Sequence, residues 1–312
     1  MKNELKILAV VVFFALLTYW GVEPFAHSQM HKHVESEGFA YKDLNASGKT
    51  GDAAKGKELV MGAGACTGCH GIKAAGIAAP MDASTAAASY GVNPPDLSIA
   101  GAIYDEKFLE ALIKNPAHAL KVEHKFAPDS GRTHPMASFF GAGGDKDQEV
   151  ADMVAYLKSI APKEFSNKEA FNTACGRCHA MRYAKGTQLG DTPKFKYEKD
   201  TLSHKVKVLE YQDSLKAYMG KLPPDLSIII RARGEHFLKT FVEDPQSQLP
   251  GTAMPRVGLS PEGYEKVEAY LTEVGDPSKP ARESLGWKVM LFFAVFAVLA
   301  FLWKKSLWKD LH

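Results

Sequence analysis

The sequence predicts an all-α protein in which two tandem copies of one small helical unit lie between an N-terminal and a C-terminal membrane helix. Three observations carry this. Apolar residues concentrate in two stretches, 5–22 and 289–303. Between them, a Cys-x-x-Cys-His motif and a Pro-Pro-Asp-Leu-Ser-Ile string each occur twice. Strand-type alternation is sparse, whereas apolar spacing of helical period runs through 107–114, 148–160, 235–242 and 263–274.

The 312 residues allow about two domains of ordinary size. A net charge of +2 leaves no basic footprint, so no nucleic-acid partner is expected. With 24% charged residues the chain is not a polytopic membrane protein. Four cysteines are too few for a disulfide scaffold of this length. All four fall in the two motifs, Cys66-Thr67-Gly68-Cys69-His70 and Cys175-Gly176-Arg177-Cys178-His179, and none is left over.

The first element, 1–25, reads as a membrane anchor. Its apolar run, 5–22, is broken mainly by Lys6 and Thr18 and carries Trp20 at its end. With its flanks it reaches the roughly 20 residues that a spanning helix needs. A cleaved signal peptide is the alternative, but 19–24 lacks a small-x-small cleavage pattern, which favours an uncleaved anchor. The last element, 286–312, reads as a C-terminal transmembrane helix and basic tail. Trp287, Trp303 and Trp308 mark its ends, and Lys304, Lys305 and Lys309 follow the apolar run. Lysines flank the outer end of both anchors, so the positive-inside rule puts both termini in the cytoplasm and the middle of the chain on the other side.

The middle divides into a linker (26–51), a first domain (52–162), a second domain (163–275) and a second linker (276–285). The motif copies stand 109 residues apart. The strings at Pro94-Pro95-Asp96 and Pro223-Pro224-Asp225 stand 129 apart, as do Phe108-Leu109 and Phe237-Leu238, and Pro116 and Pro245. The 20 added residues fall around 185–216, a lysine-rich stretch that reads as a surface insertion. The prolines are expected to stiffen a turn, and each Asp to cap the segment after it.

Cys-x-x-Cys-His is an attachment pattern for haem c. Two thiols one turn apart can reach the two vinyl groups on one edge of the macrocycle, and the adjacent imidazole then meets the iron. Cys66, Cys69, Cys175 and Cys178 are the expected thioether residues, and His70 and His179 the proximal ligands. A zinc site or a redox dithiol would be the alternatives. A zinc site would bring a second pair of ligands nearby, and here 109 residues intervene. Met136 and Met254, each beside a proline and before a terminal helix, are the expected sixth ligands. His134 and His124 compete with Met136, and Met219 and Met181 with Met254. Two covalently bound haem c groups are therefore expected, with no catalytic residue in the bond-making sense.

The second half resembles cytochrome c1. The resemblance rests on 175–183, on Leu222-Pro-Pro-Asp-Leu-Ser227, on 231–237, and on a tail that runs from Leu285-Gly-Trp-Lys to Lys304-Lys305-Ser-Leu-Trp308. It covers roughly 163–312. It implies that Arg231 contacts a haem propionate and that Met254 is the axial methionine. An ordinary cytochrome c1 has one haem and no N-terminal anchor of this kind. The whole chain is therefore similar to the dihaem cytochrome c subunit that some bacteria, notably Epsilonproteobacteria, use in its place, with two tandem class I-like cytochrome c domains. That resemblance implies a subunit of a quinol–cytochrome c oxidoreductase in the bacterial inner membrane, with its haem domains in the periplasm. The implied partners are a cytochrome b subunit, a Rieske iron–sulfur protein as donor, a periplasmic cytochrome c or terminal oxidase as acceptor, and membrane lipid. The dihaem subunit of a cbb3-type oxidase and a dihaem peroxidase are the alternatives. The basic C-terminal helix argues against the first, and two candidate methionine ligands against the second.

Overall fold

The computed structural model describes residues 2–31 and 38–309. Part of the first linker (32–37) and the end of the basic tail (310–312) lie outside the described residues.

The chain is mostly helical, and two of its helices are long and apolar enough to cross a membrane, Asn3–Ser28 and Lys279–Leu307. The first comprises α1 (Lys2–Leu16), a π turn (Leu17–Val22) and α2 (Glu23–His31). The π turn sits just before Pro24, which has no N–H to donate and whose ring crowds the preceding turn. The bonding steps out to Glu23 N–H with Thr18 O. Near the start of α1, Glu4 accepts from Lys304 at 2.9 Å, so the outer ends of the two anchors lie side by side.

The first unit runs through α3 (Ala53–Met61), α4 (Ala83–Tyr90), α5 (Ala100–Ile103), α6 (Glu106–Lys114), α7 (Pro116–Ala119) and α8 (Lys146–Ile160). The second runs through α9 (Asn167–Phe171), α10 (Glu198–Met219), α11 (Ile229–Ala232), α12 (Glu235–Glu243), α13 (Pro245–Gln248) and α14 (Pro261–Gly275). The four helical periodicities in the sequence correspond to α6, α8, α12 and α14. The series α5–α6–α7 recurs as α11–α12–α13, residue for residue at offset 129. Most starts are set by local capping. Asp52, Asp82, Asp105 and Asp145 accept backbone N–H groups of the first turns of α3, α4, α6 and α8. Ser166 and Glu169 make a reciprocal capping box on α9, and Ser260 caps α14 with Pro261 in its first turn.

The stretch 185–216 is not merely a surface insertion. It holds a two-residue antiparallel pair, β1 (Gly186–Thr187) with β2 (Gly190–Asp191), and most of α10. The last turns of α10 bury Tyr211, Leu215 and Met219 against Ala87 of α4, so α10 joins the two units. Its Leu202, Val206 and Leu209 remain exposed.

The units share one core. Ile103 and Phe108 from the first pack with Phe171, Leu259, Tyr264 and Tyr270 from the second. A β-bridge pairs Tyr104 with Leu259, flanked by bonds from Asp105 N–H to Gly258 O and from Ser260 N–H to Ile103 O. The contact depends on Gly258, at φ +77°, where a Cβ would fall 2.0 Å from the Phe108 ring. The end of the first linker also enters this core, because Phe39, Tyr41 and Leu44 are buried in it. Asp43 there accepts from the two terminal guanidinium nitrogens of buried Arg256, Nη1 and Nη2, at 3.1 and 2.6 Å. Residues 39–44 are thus a strap fastened to the second unit.

Two outcomes are expected. In the first unit α3 crosses α8 so closely that a Cβ on Gly56 would lie 1.8 Å from Asp152 O. Gly56→Ala must push two helices apart and should cost about 1–3 kcal/mol, read as a lower thermal midpoint by circular dichroism. An unchanged midpoint would mean that this crossing is loose. At the root of α15 (Lys279–Leu307), the Arg282 guanidinium holds the Asp276 carboxyl down to about 2 against the pull of burial. A lowered folded-state value means that the pairing stabilises above the ordinary aspartate range and is lost as pH falls through about 2. Amide exchange over 276–284 should stay slow at about pH 4 and accelerate at pH 7 in Asp276→Asn; equal exchange in the variant would refute the pairing's role.

Candidate functional site

Each motif is one turn of helix. His70 N–H bonds to Cys66 O and His179 N–H to Cys175 O, both at 2.9 Å. The chain arrives differently in the two copies. Ala65, in the left-handed region at φ 49°, leads into a 3-10 turn at Cys66–Gly68, whereas α9 continues through a π turn, Asn172–Gly176. Beyond the histidine the two copies coincide again: a bridge pairs Ile72 with Ile77 and, at offset 109, Met181 with Gly186. Met181 thus holds the core position of Ile72 and is 1% exposed, which commits it to packing. Met219 is packed as well, in the cluster with Tyr211 and Leu215.

The Pro-Pro-Asp-Leu-Ser string clamps this turn. Pro95 O bonds His70 Nδ1 at 2.8 Å, and Pro224 O bonds His179 Nδ1 at 2.8 Å. Asp96 accepts from Ser98 N–H and Lys73 N–H, and Asp225 from Ser227 N–H and Arg182 N–H. The serines add their own bonds, Ala74 N–H to Ser98 Oγ and Tyr183 N–H to Ser227 Oγ. The Asp therefore caps its own turn, as the sequence suggests, and also ties that turn to the chain after the motif. The reach to residue 73 or 182 has no signal in the sequence.

The donor chemistry fits a haem. A carbonyl on Nδ1 fixes that nitrogen as the donor, which leaves Nε2 with a lone pair for a metal. Burial pushes both imidazoles toward the neutral form that ligates. Burial also drives the Cys175 thiol up to about 12 and raises Cys66 and Cys178. A redox dithiol needs the opposite shift. Among the described residues, no three His, Cys, Asp or Glu side chains converge on one point. Two thiols and an imidazole that do not converge suit a planar group held at its edge and at its centre better than a single ion.

Met136 and Met254 both lie half-buried in the loops that precede α8 and α14. Met136 N–H donates to His134 Nδ1 at 3.1 Å, and His134 Nε2 is buried without a partner. His124 is exposed. The Met254 loop is held from outside its own unit. Lys125 Nζ bonds Ala253 O at 2.9 Å, Leu120 O accepts from Arg256 N–H at 3.0 Å, and Asp43 pairs with the Arg256 side chain. Arg231 is exposed on α11. It lines a cleft of about 490 Å³ with Arg233, Asp276, Lys279, Arg282 and Glu283, at the root of α15.

The two motifs share a wall. Arg177 Nη1 donates to Asn93 O at 3.0 Å. Tyr211 Oη donates to Arg177 O at 2.8 Å and accepts from Asn93 N–H at 3.1 Å. Cys178 and Val92 pack on the cluster that holds Tyr211, Leu215 and Met219. No local pattern announces this closure, because Asn93 and Arg177 lie 84 residues apart and the lysines of α10 read as surface.

Comparison with known proteins agrees with this chemistry. Residues 53–161 match the family described as Cytochrome c. The chain is 29% identical to the ammonia monooxygenase gamma subunit of Nitrosomonas europaea over 133 residues, 30% of this chain and 57% of that protein. It is 28% identical to cytochrome c1 of Allochromatium vinosum over 154 residues, 34% of this chain and 63% of that protein. The chain thus spans about six-tenths of the length of these curated relatives. A chain of a hyperthermophilic respiratory Complex III aligns over 47% of this chain and 75% of its own length, with 26% identity and a TM-score of 0.36. Residues 53–161 are a cytochrome c domain, and a cytochrome c domain carries covalent haem c.

Proposed function

We propose that this chain is the membrane-anchored dihaem cytochrome c subunit of a quinol–cytochrome c oxidoreductase. In this reading it takes electrons from a Rieske iron–sulfur protein and passes them to a periplasmic cytochrome c or a terminal oxidase. The observation that carries it is the twofold clamp. Both motifs hold the histidine Nδ1 on the second proline carbonyl of a Pro-Pro-Asp-Leu-Ser string, at the same 2.8 Å. Residues 53–161 match the cytochrome c family, and 163–275 repeats the fixed points of that unit, which supports a second haem there. The similarity to a cytochrome c1 supports the choice of complex, and with it a cytochrome b partner.

The bound haem would supply one-electron chemistry at an iron whose potential the ligands set. The chain's residues would do the rest. Cys66 and Cys69, and Cys175 and Cys178, would hold the macrocycle edges. His70 and His179 would present Nε2 to the metal, and Met136 and Met254 would supply the thioether ligands. Lys125, Leu120 and Asp43 would keep the Met254 loop in place. The place of Arg231, beside Asp276 in an open cleft, gives its assignment as a propionate contact less support than the other residues have. The anchors would keep both units at the periplasmic face of the inner membrane, with both termini cytoplasmic.

Purification of the native protein in mild detergent tests this. Co-purification of b-type haem and a Rieske signal, with two haems c per chain, is the expected result. Copper with oxidase activity and no Rieske protein would refute it. The oxidised protein should also show the weak red thioether-to-iron charge-transfer band. Met136→Leu and Met254→Leu should each remove about half of it, since one neutral sulfur is lost at each iron. A full-strength band in either variant would reassign that ligand.

A further inference from the structure

We propose that Arg177 is a shared electrostatic element of the two redox sites, and that its guanidinium raises the reduction potential of both. The inference rests on the reading that each motif holds a haem. Arg177 lies between Cys175 and Cys178, inside the second motif. Its side chain leaves that motif and donates to Asn93 O at 3.0 Å. Asn93 is joined through Pro94 to Pro95, whose carbonyl holds His70. One cation therefore sits inside the covalent grip of the second site and one hydrogen bond away from the chain that orients the first.

The contact is doubly fixed. Asn93 O accepts from the Arg177 side chain, while Asn93 N–H reaches Arg177 O through the Tyr211 hydroxyl. The ring of three residues closes on both backbone groups of Asn93, so it holds the distance between the motifs as well as the charge. A weaker bond from Arg177 Nε to Thr173 O, at 3.4 Å, steadies the guanidinium. Among the described residues, no carboxylate pairs with it. Its charge is therefore not cancelled by a carboxylate among the described residues, and the Lys125 and Arg132 cations bond elsewhere, to Ala253 O and Tyr218 O.

Reduction adds one electron to an iron and removes one unit of positive charge. A fixed cation nearby stabilises the reduced form, and does so strongly where water is excluded. A cation between two such centres acts on both.

Redox titration of the purified full-length protein, followed by its visible spectrum, tests this. In Arg177→Gln and Arg177→Met both midpoint potentials are expected to fall. The reduction equilibrium of each haem should weaken about tenfold, equivalent to roughly 59 mV for one electron. Arg177→Lys keeps the charge and should hold both potentials near the parent values, as should Tyr211→Phe, which cuts the ring and spares the cation. A fall at one haem only, no fall at either, or a fall in Arg177→Lys as large as in Arg177→Gln would overturn the proposal. The haem count separates this from the underlying reading. One haem per chain in the unaltered protein would mean that the dihaem reading has failed, whatever the potentials do.

Discussion

Each half of this protein is organised by one hydrogen bond, from the imidazole Nδ1 of the motif histidine to a prolyl carbonyl. That bond fixes which nitrogen carries the proton and the plane of the ring. It works only if the carbonyl is rigid, and the surrounding sequence provides this. Two consecutive prolines restrict the backbone, the Asp closes its own turn, and the Asp and Ser side chains grip the chain just after the motif. The loop after the histidine and the loop that orients it are thus one piece of structure. Helices α5 to α7 and α11 to α13 keep a fixed register because they begin directly from this clamp.

The second constraint is that the two halves are not free to drift apart. Gly258 lets the Phe108 ring close on the chain at a place where any side chain would collide. Buried Arg256 has Asp43 as its carboxylate partner, so the strap at 39–44 neutralises a charge inside the second half. Removing Asp43 would leave a buried guanidinium unpaired, which is costly. The methionine loop of the second half is therefore secured by residues that precede and belong to the first.

Much of this is legible in the sequence, and the reason is physical. Motif spacing, paired prolines and helical apolar period act over a few residues, so Cys66, His70, Cys175 and His179 and the helices α6, α8, α12 and α14 can be read directly. Contacts across the chain leave no such trace. Arg177 looks like an ordinary surface cation in a sequence, and only the fold brings it to Asn93. The lysine-rich start of α10 hides the Tyr211, Leu215 and Met219 face that packs on α4. The rivalry between Met181 and Met254 also needs the fold, since only the bridge to Gly186 reveals that Met181 stands where Ile72 stands in the first half.

The ion pair between Glu4 and Lys304 brings together two anchors from opposite ends of the chain. A surface pair of this kind contributes little energy, but it records a topology. On the proposed topology the polypeptide would leave the bilayer, form both halves and return through a second helix whose far end lies beside that of the first. A body moored at two adjacent points can neither diffuse away like a soluble carrier nor swing freely on a single stalk. On the proposed function, traffic of electrons to and from it would be governed by the mobility of its neighbours, and the protein would serve as a fixed station on their route.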